Sequence, residues 1–160
     1  MNREIKFRGK MVPEQVWIYG TLLRIPAPLV CLGKKEEDKY YIQFADPNYI
    51  PDWNMPYRMV QGQVDNNTIG QFTGLHDKNG KEIYEGDIVL LDCYYYEEPA
   101  FDGEFKVIYD DINGMWLLVD LENKDRGFAF GEIRSYYKAE VEVIGNIYDN
   151  PELLGGEDGI

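Results

Sequence analysis

The clearest pattern in this chain lies at its centre, where residues 71–89 read QFTGLHDKNGKEIYEGDIV. Gly86 and Asp87 lead directly into the aliphatic run IVLL, which is typical of a β-strand. Asn79 and Gly80 indicate a tight turn, because both residue types adopt a positive φ more readily than most others do. The centre of the chain therefore predicts a turn that is followed by a strand.

Short strands continue on the C-terminal side of this stretch. Residues 104–109 alternate apolar and polar side chains, and residues 115–121 follow as the partner strand after a tight turn, Asp-Ile-Asn-Gly, at 111–114. A last strand is expected at residues 141–148. Short strands joined by glycine-containing turns predict a small barrel.

Strand patterns also dominate the N-terminal side. Residues 5–8, 16–23 and 40–44 are rich in aliphatic and aromatic side chains, and residues 57–64 are expected to form a further strand. The 13 tyrosines, 7 phenylalanines and 3 tryptophans of the chain favour strands over helices. Residues 46–56 contain three prolines and predict a structured loop. Its large apolar groups, Tyr49, Ile50 and Trp53, are expected to need cover from the rest of the chain.

A shift in charge and in strand pattern near residues 68–73 predicts a division of the chain. Residues 1–70 are expected to form an N-terminal β region, and residues 71–150 the small barrel. In residues 151–160, Asn150 is expected to cap one helical turn that starts with Pro151, because proline suits the first helical position. The glycine-rich end of the chain is expected to fray.

Three stretches carry a family resemblance: REIKFR at residues 3–8, the central stretch at 71–89, and VEVIGNIYDNPELL at 141–154. Together they resemble the YopX family of phages and prophages of bacteria. The resemblance implies a phage or prophage origin and a mainly-β fold, with an N-terminal β region and a C-terminal SH3-like small barrel. The family has no established biochemical function, so the resemblance supplies no functional residues.

Charge and cysteine content limit the class of protein. The net charge is -13, yet residues 1–30 carry five basic and two acidic side chains, whereas residues 91–120 carry one basic and eight acidic ones. The acidic half should repel phosphate backbones, which makes nucleic acid an unfavourable partner.

Cys31 and Cys93 lie far apart among apolar neighbours, so both are expected to be buried, reduced thiols. Without a signal peptide or a membrane-length apolar run, the chain is expected in the cytoplasm of a bacterial host.

Two loop motifs of the central stretch do not match the sites that they resemble. A calcium loop starting at Asp77 needs glycine at its sixth position, where this chain has Glu82. A phosphate-binding loop from Gly74 to Lys81 has one residue too many between its glycines, and Glu82 again replaces the serine or threonine that binds magnesium. The sequence therefore predicts neither a metal nor a cofactor.

The remaining catalytic residue types form no coherent set. His76 is the only histidine, and nothing in the sequence places it beside Cys31 or Cys93, although such a nucleophilic pair stays arithmetically possible. Adjacent carboxylates occur several times, but neighbours on a strand point to opposite faces and do not converge on one substrate. The prediction is that the chain is not an enzyme.

Aromatic side chains flanked by acidic ones form the candidate binding site, which is expected to dock a basic surface on a protein partner. The site comprises Tyr94, Tyr95, Tyr96, Glu97, Glu98 and Phe101. An ordinary solvated loop between strands is the alternative interpretation. Changing Glu97 and Glu98 together to lysine should distinguish the two by weakening the capture of a partner.

The leading hypothesis for function is a phage or prophage accessory protein that acts as a non-enzymatic protein-interaction module. The alternative is a nucleic-acid-binding small barrel, supported by the basic cluster Arg3, Lys6, Arg8 and Lys10. Self-association as a homo-oligomer is also predicted. The expected route is an exposed strand edge near Ile5, because open edges pair with other chains.

Overall fold

The computed structural model describes residues 4–27, 37–96 and 98–154, in which eleven β-strands and one α-helix occur. The chain divides into two compact units, residues 1–71 and 72–160. The elements are β1 (Phe7–Met11), β2 (Val16–Ile25), β3 (Lys39–Ala45), β4 (Met59–Val64), β5 (Gly70–His76), β6 (Glu82–Tyr84), β7 (Asp87–Tyr95), β8 (Glu98–Asp110), β9 (Met115–Asp120), β10 (Gly127–Ala129), α1 (Phe130–Tyr136) and β11 (Lys138–Asn146). The fold is mainly β, as predicted. The predicted domain limits at 70 and 150 stay a prediction, because compactness does not show that a segment folds alone.

Strands β1 to β4 of the first unit pair antiparallel in chain order, and a pairing of Met11 with Val64 brings β4 back to β1. The buried core comprises Ile18, Ile42 and Val64. Gly20 permits the close approach of β2 to β3, since a Cβ at this position would lie 2.0 Å from the carbonyl oxygen of Gln43. This contact gives the glycine in the middle of a strand its physical reason.

The predicted open edge at the start of the chain is wrong. Strand β1 begins at Phe7, and Ile5 lies outside it with 53% of its surface exposed. One side of β1 pairs with β2 over its whole length. On the other side, Phe7 pairs with Gln71 and Met11 with Val64. Because these distant segments occupy the second side of β1, it offers no free row of backbone groups to another chain.

Residues 72–160 contain a five-stranded antiparallel sheet in the order β10-β9-β8-β7-β11. Its inner side chains alternate along the strands and form a core with two residues of α1. The fully buried part of that core comprises Ile83, Val89, Leu91, Phe105, Val107, Leu118, Phe130 and Ile133. The predicted turn at 111–114 is confirmed: Gly114 has φ +67, and Asp110 pairs with Met115. Gly80 likewise has φ +82.

Helix α1 was not expected from the sequence. It is two turns long and begins after Ala129, which forms no side-chain cap. Without a capping residue and with Gly131 in its first turn, the segment carries a weak helical signal. Burial of Phe130 and Ile133 on one face of the helix stabilises it instead.

The ends of the chain agree only in part with their predictions. The expected helical turn after Asn150 is a 3₁₀ turn at Pro151–Leu154. The Asn150 side chain accepts a hydrogen bond from the backbone of Asn146, which precedes the turn. The glycine-rich segment 155–159, which was expected to fray, lies outside the described residues. No helix in the described part of the chain is long and apolar enough to cross a membrane.

The loop between β3 and β4 is structured, but its predicted cover is absent. Ile50 is 87% exposed and Trp53 91% exposed, while Tyr49 is half-buried. The expectation that all three lie under other parts of the chain is therefore wrong for Ile50 and Trp53. Polar interactions, rather than apolar packing, hold this loop in place.

Candidate functional site

The predicted docking stretch is the end of a β-hairpin and not a free loop. Tyr94 pairs with Pro99, and Tyr95 pairs with Glu98, so that β7 and β8 are joined by only two residues. Aromatic residues such as these tyrosines favour extended strands, and a register shift after Cys93 keeps both strands paired up to the turn. Of the six predicted site residues, Glu97 lies outside the described ones. The stretch is therefore mostly strand rather than loop, and its docking role stays a prediction.

Tyr95 and Tyr96 form the exposed part of this hairpin end. Tyr96 is 87% exposed and has φ +48, a left-handed conformation that is uncommon for a bulky residue. Its ring meets the ring of Tyr95 edge-on, with 4.7 Å between the centroids and an interplanar angle of 82°. The two-residue connection requires this conformation, because tight hairpins need positive φ at their central positions. The backbone thus holds an exposed tyrosine outward at a cost in strain.

Phe101 forms the half-buried part of the same surface. It stacks on Phe128 of β10 at 4.6 Å and 10°, and it meets Tyr137 edge-on at 5.3 Å and 76°. Tyr137, which follows α1, lies 6.0 Å from Tyr95 and joins the two parts. We call these five side chains the aromatic surface: Tyr95, Tyr96, Phe101, Phe128 and Tyr137. Mutual contacts fix the orientation of its rings.

Arg126 places a positive charge on the half-buried part of the aromatic surface. Its guanidinium carbon lies 5.3 Å from the ring centre of Phe101 and 5.2 Å from that of Phe128. One of its terminal nitrogens lies 3.4 Å from a carboxylate oxygen of Asp120. Both contacts hold the guanidinium against the rings, where a cation over an aromatic face is favourable.

The outer face of the sheet, opposite to the face on which Phe101 and Phe128 pack, is acidic. Three carboxylates form one row across the sheet, with Asp92 on β7 between Asp102 on β8 and Glu140 on β11. Like charges in directly opposite positions repel each other. Tyr94 lies on the same face, two residues from Asp92, and is opposite Lys138. A basic partner would relieve the repulsion within this row.

A family model described as YopX protein matches residues 6–155. The chain belongs to the YopX family. The match confirms the resemblance seen in the three sequence stretches and extends it over nearly the whole chain. No curated protein matches. Matches among solved structures include the crystal structure of protein EF1440 from Enterococcus faecalis, which is 26% identical, covers 96% of this chain and 99% of that chain, and has a TM-score of 0.48.

Cys93 of this YopX-family chain, which lies opposite Phe101 of the aromatic surface, is unsuited to nucleophilic chemistry. Cys93 is buried and free, as predicted, whereas Cys31 lies outside the described residues. Burial, and secondarily the charge of Asp92, raises the pKa of the Cys93 thiol to about 11. The thiol therefore stays protonated at neutral pH and is a poor nucleophile.

A cleft of about 380 Å³ borders the central turn, and it is mostly polar. Its lining residues are His76, Asp77, Lys78, Asn79, Phe130, Ala139, Glu140 and Val141. The ring of His76 meets that of Phe72 edge-on at 5.5 Å. In the described part of the chain, no group of three or more histidine, cysteine or acidic side chains is placed to hold a metal ion.

Asp77 fixes the central turn to β11. Its carboxylate accepts hydrogen bonds from the backbone N–H groups of Asn79 and Lys81, at 2.8 and 2.9 Å, and from that of Val143, at 3.1 Å. Burial alone would raise the pKa of Asp77, but the three N–H donors outweigh it and hold the pKa below its ordinary value. Both carboxylate oxygens are thus occupied by backbone donors, and the acidic turn has a structural role.

The basic residues of the N-terminal strand lie against an aromatic ring. The guanidinium carbon of Arg8 is 4.8 Å from the ring centre of Trp17, and the amino group of Lys10 is 5.5 Å from it. Arg8 is only 5% exposed, so it is poorly placed to reach a phosphate backbone. Of the predicted basic cluster, Arg3 lies outside the described residues.

The sequence did not associate Phe128, Tyr137 and Arg126 with the candidate site. Tyr137 is the second residue of a Tyr-Tyr pair, and Phe128 lies in a short apolar run before α1. Each is more than twenty residues away from Tyr96 along the chain. Pairing of β10 with β9, and of β11 with β7, brings these segments to the hairpin.

Proposed function

We propose that this YopX-family chain is a phage or prophage accessory protein that acts as a non-enzymatic protein-interaction module in the cytoplasm of the bacterial host. The observation that carries the proposal is the conformation of Tyr96, which is 87% exposed at φ +48 above packed aromatic rings. Strain of this kind in an exposed aromatic residue is typical of a functional position.

The aromatic surface suits protein recognition because it is already ordered. Phe101 and Phe128 are stacked, and Tyr137 connects them to Tyr95. Binding therefore immobilises few additional side chains, which keeps the entropic cost of association low. Tyrosine is also among the residues that contribute most to binding energy at protein interfaces.

An acidic residue beside the aromatic surface favours a basic partner. Glu98 is exposed and lies directly opposite Tyr95 at the hairpin end, whereas Asp92 and Asp102 lie on the other face of the same strands. Charges at the rim of an interface increase the rate of association and select against partners of like charge. The proposed partner is a protein with a basic patch that surrounds an apolar pocket.

The proposal also includes a more specific fold for the C-terminal part of the chain. The five antiparallel strands β7 to β11, joined mostly by short connections, support an SH3-like small barrel for the C-terminal part. Interaction modules are often built on folds of this size, although fold alone does not identify a function.

Site-specific crosslinking tests the proposed docking surface. A photoreactive phenylalanine analogue would replace Tyr96 in the full chain, and the host lysate would be irradiated in its presence. The matched control carries the same analogue at Ile112, which is 93% exposed in the turn between β8 and β9. We expect a discrete protein adduct from position 96 and none from position 112.

Charge reversal shows whether the adduct depends on the acidic rim. Glu98→Lys should reduce the yield of the adduct, whereas Asp111→Lys, in the turn after β8, should not. Equal adducts from positions 96 and 112 would contradict the proposal. An adduct with nucleic acid at position 96 would favour the alternative function instead.

A further inference from the structure

A second set of aromatic and aliphatic side chains is exposed in the first unit. We call residues 46–58, which connect β3 to β4, the apolar loop. Ile50 is 87% exposed, Trp53 91%, Met55 51% and Tyr57 65%. Four large apolar groups exposed within eight residues are unusual for a soluble chain and mark an interaction surface.

Polar contacts hold the apolar loop in a defined conformation. Arg58 forms an ion pair with Asp46 across the two ends of the loop, and its guanidinium carbon lies 5.4 Å from the ring centre of Tyr49. The backbone N–H of Asp46 also donates to the carbonyl of Arg58 at 2.7 Å. Within the loop, the Asp52 carboxylate accepts from the backbone N–H groups of Asn54 and Met55 at 2.8 and 2.7 Å. The exposed groups therefore have a fixed arrangement before binding, so ordering them costs little entropy when a partner binds.

The charge of the apolar loop points to a second copy of the chain as the occupant. The loop contains only three charged side chains, and two of them, Asp46 and Arg58, neutralise each other. The whole chain, by contrast, has a net charge of -13. Two copies that meet through their acidic surfaces repel each other, whereas two copies that meet through this loop bring together surfaces of little charge.

The area of the exposed groups is sufficient for a dimer. Large aromatic side chains each bury roughly 150–250 Å² at an interface. Met59, at the start of β4, is a fifth exposed apolar residue next to the loop, at 46%. Together the five groups approach the roughly 800 Å² that each partner contributes to a standard interface.

We propose that the apolar loop is a self-association surface, and that two copies of the chain pair loop against loop as a two-fold symmetric homodimer. Trp53 and Ile50 form the centre of this interface, each packing against the loop of the other copy. Since the same patch serves both copies, the contact closes at two and does not propagate into a filament. The inference is independent of the docking function proposed for the aromatic surface.

Sedimentation equilibrium of the full chain tests the proposal over micromolar to submillimolar concentrations. We expect a concentration-dependent dimer, weakened at least about tenfold by Ile50→Ser or Trp53→Ser, as is usual for residues at the centre of an interface. The matched control is Ile112→Ser, which removes an exposed isoleucine from the other unit and should leave the dimer unchanged. Circular dichroism would verify that each variant is folded.

Tryptophan fluorescence provides a second measurement, which does not depend on destabilised variants. Acrylamide should quench Trp53 strongly in dilute protein and weakly in concentrated protein, because the dimer buries its ring. The signal of Trp53 is isolated by replacing the other two tryptophans, Trp17 and Trp116, with phenylalanine, which leaves the apolar loop unchanged. A constant quenching across the range would overturn the proposal.

Two further results would also overturn it. One is a strictly monomeric mass at every concentration, and the other is a dimer that persists unchanged when both Ile50 and Trp53 are serine. Co-sedimentation of the monomer with phosphatidylglycerol vesicles, lost in the double variant, would assign the loop to a lipid surface instead. Dimerisation and lipid binding are distinguishable, because only dimerisation changes the mass of the protein in the absence of lipid.

Discussion

The aromatic surface and the apolar loop are both exposed, but they differ in charge and in what orders them. The aromatic surface lies on paired strands, where rings pack on one another and Glu98 lies opposite Tyr95. The apolar loop has no regular strand pairing of its own. Hydrogen bonds that the Asp46 and Asp52 carboxylates accept, one of them from Arg58, shape it. Its charges nearly cancel. Two exposed apolar regions of one chain thus suit different partners.

This difference shows that the number of exposed aromatic residues does not determine what a surface binds. The acidic surroundings of Tyr96 favour a partner of opposite charge, while the neutral surroundings of Trp53 allow contact with an identical surface. The predicted functions of the two regions should therefore respond in opposite ways to the same perturbation.

Removing the carboxylate that fixes the central turn to β11, and that belongs to neither exposed region, should have the largest effect. Asp77→Ala leaves three backbone N–H groups without their acceptor and should lower the free energy of unfolding by about 3 kcal/mol. The control is Asp111→Ala, an exposed aspartate in a turn, which should change stability little. Urea unfolding monitored by circular dichroism measures both. If Asp77→Ala were as stable as the control, the turn would not depend on this carboxylate.

The stabilising effect of Asp77 should also depend on pH. Because its pKa is lowered in the folded state, its contribution is complete above the unfolded value of about 3.9 and is lost as the pH falls through the folded pKa. The difference in stability between the wild type and Asp77→Ala should consequently shrink in acid. A difference that stayed constant from neutral pH to acid would contradict this account.

Salt should change partner binding at the aromatic surface and dimerisation through the apolar loop in opposite directions, each by several-fold. Raising the ionic strength from about 0.1 to about 1 M shortens the Debye length from about 10 to about 3 Å. The crosslinking yield at Tyr96 should fall, because screening weakens attraction to a basic partner. The dimer should become tighter, because screening weakens repulsion between two acidic chains. Changes of the same sign in both measurements would remove the distinction between the surfaces.

The smallest expected effect is a gain in stability at the hairpin end. Tyr96→Asn replaces a bulky residue at φ +48 with one that tolerates left-handed backbone, and should raise the free energy of unfolding by about 0.5–1 kcal/mol. Tyr95→Asn, in the extended strand, should give no such gain. Thermal unfolding compares the two. A loss of partner capture in the more stable Tyr96→Asn variant would show that the exposed ring of Tyr96 serves binding rather than stability.

Local patterns in the sequence were sufficient for several features of the fold. The mainly-β class and the turns at Gly80 and Gly114 follow from side-chain preferences and from the conformational freedom of glycine. The family followed from the stretch at 71–89 together with both ends of the chain. Burial of Cys93 followed from its apolar neighbours. Each of these depends on residues that are adjacent along the chain, so a single sequence contains the information.

Contacts between distant segments decided the rest, and no local pattern encodes them. Phe101, Phe128 and Tyr137 meet only because β10 pairs with β9 and β11 with β7. Strand β1 is not an edge because residues far along the chain occupy its second side. Trp53 is a residue type that is common in cores, yet it is 91% exposed, and no apolar surface among the described residues covers it. Aromatic side chains gain similar free energy from burial in a core and from burial in an interface, so only the tertiary structure distinguishes the two.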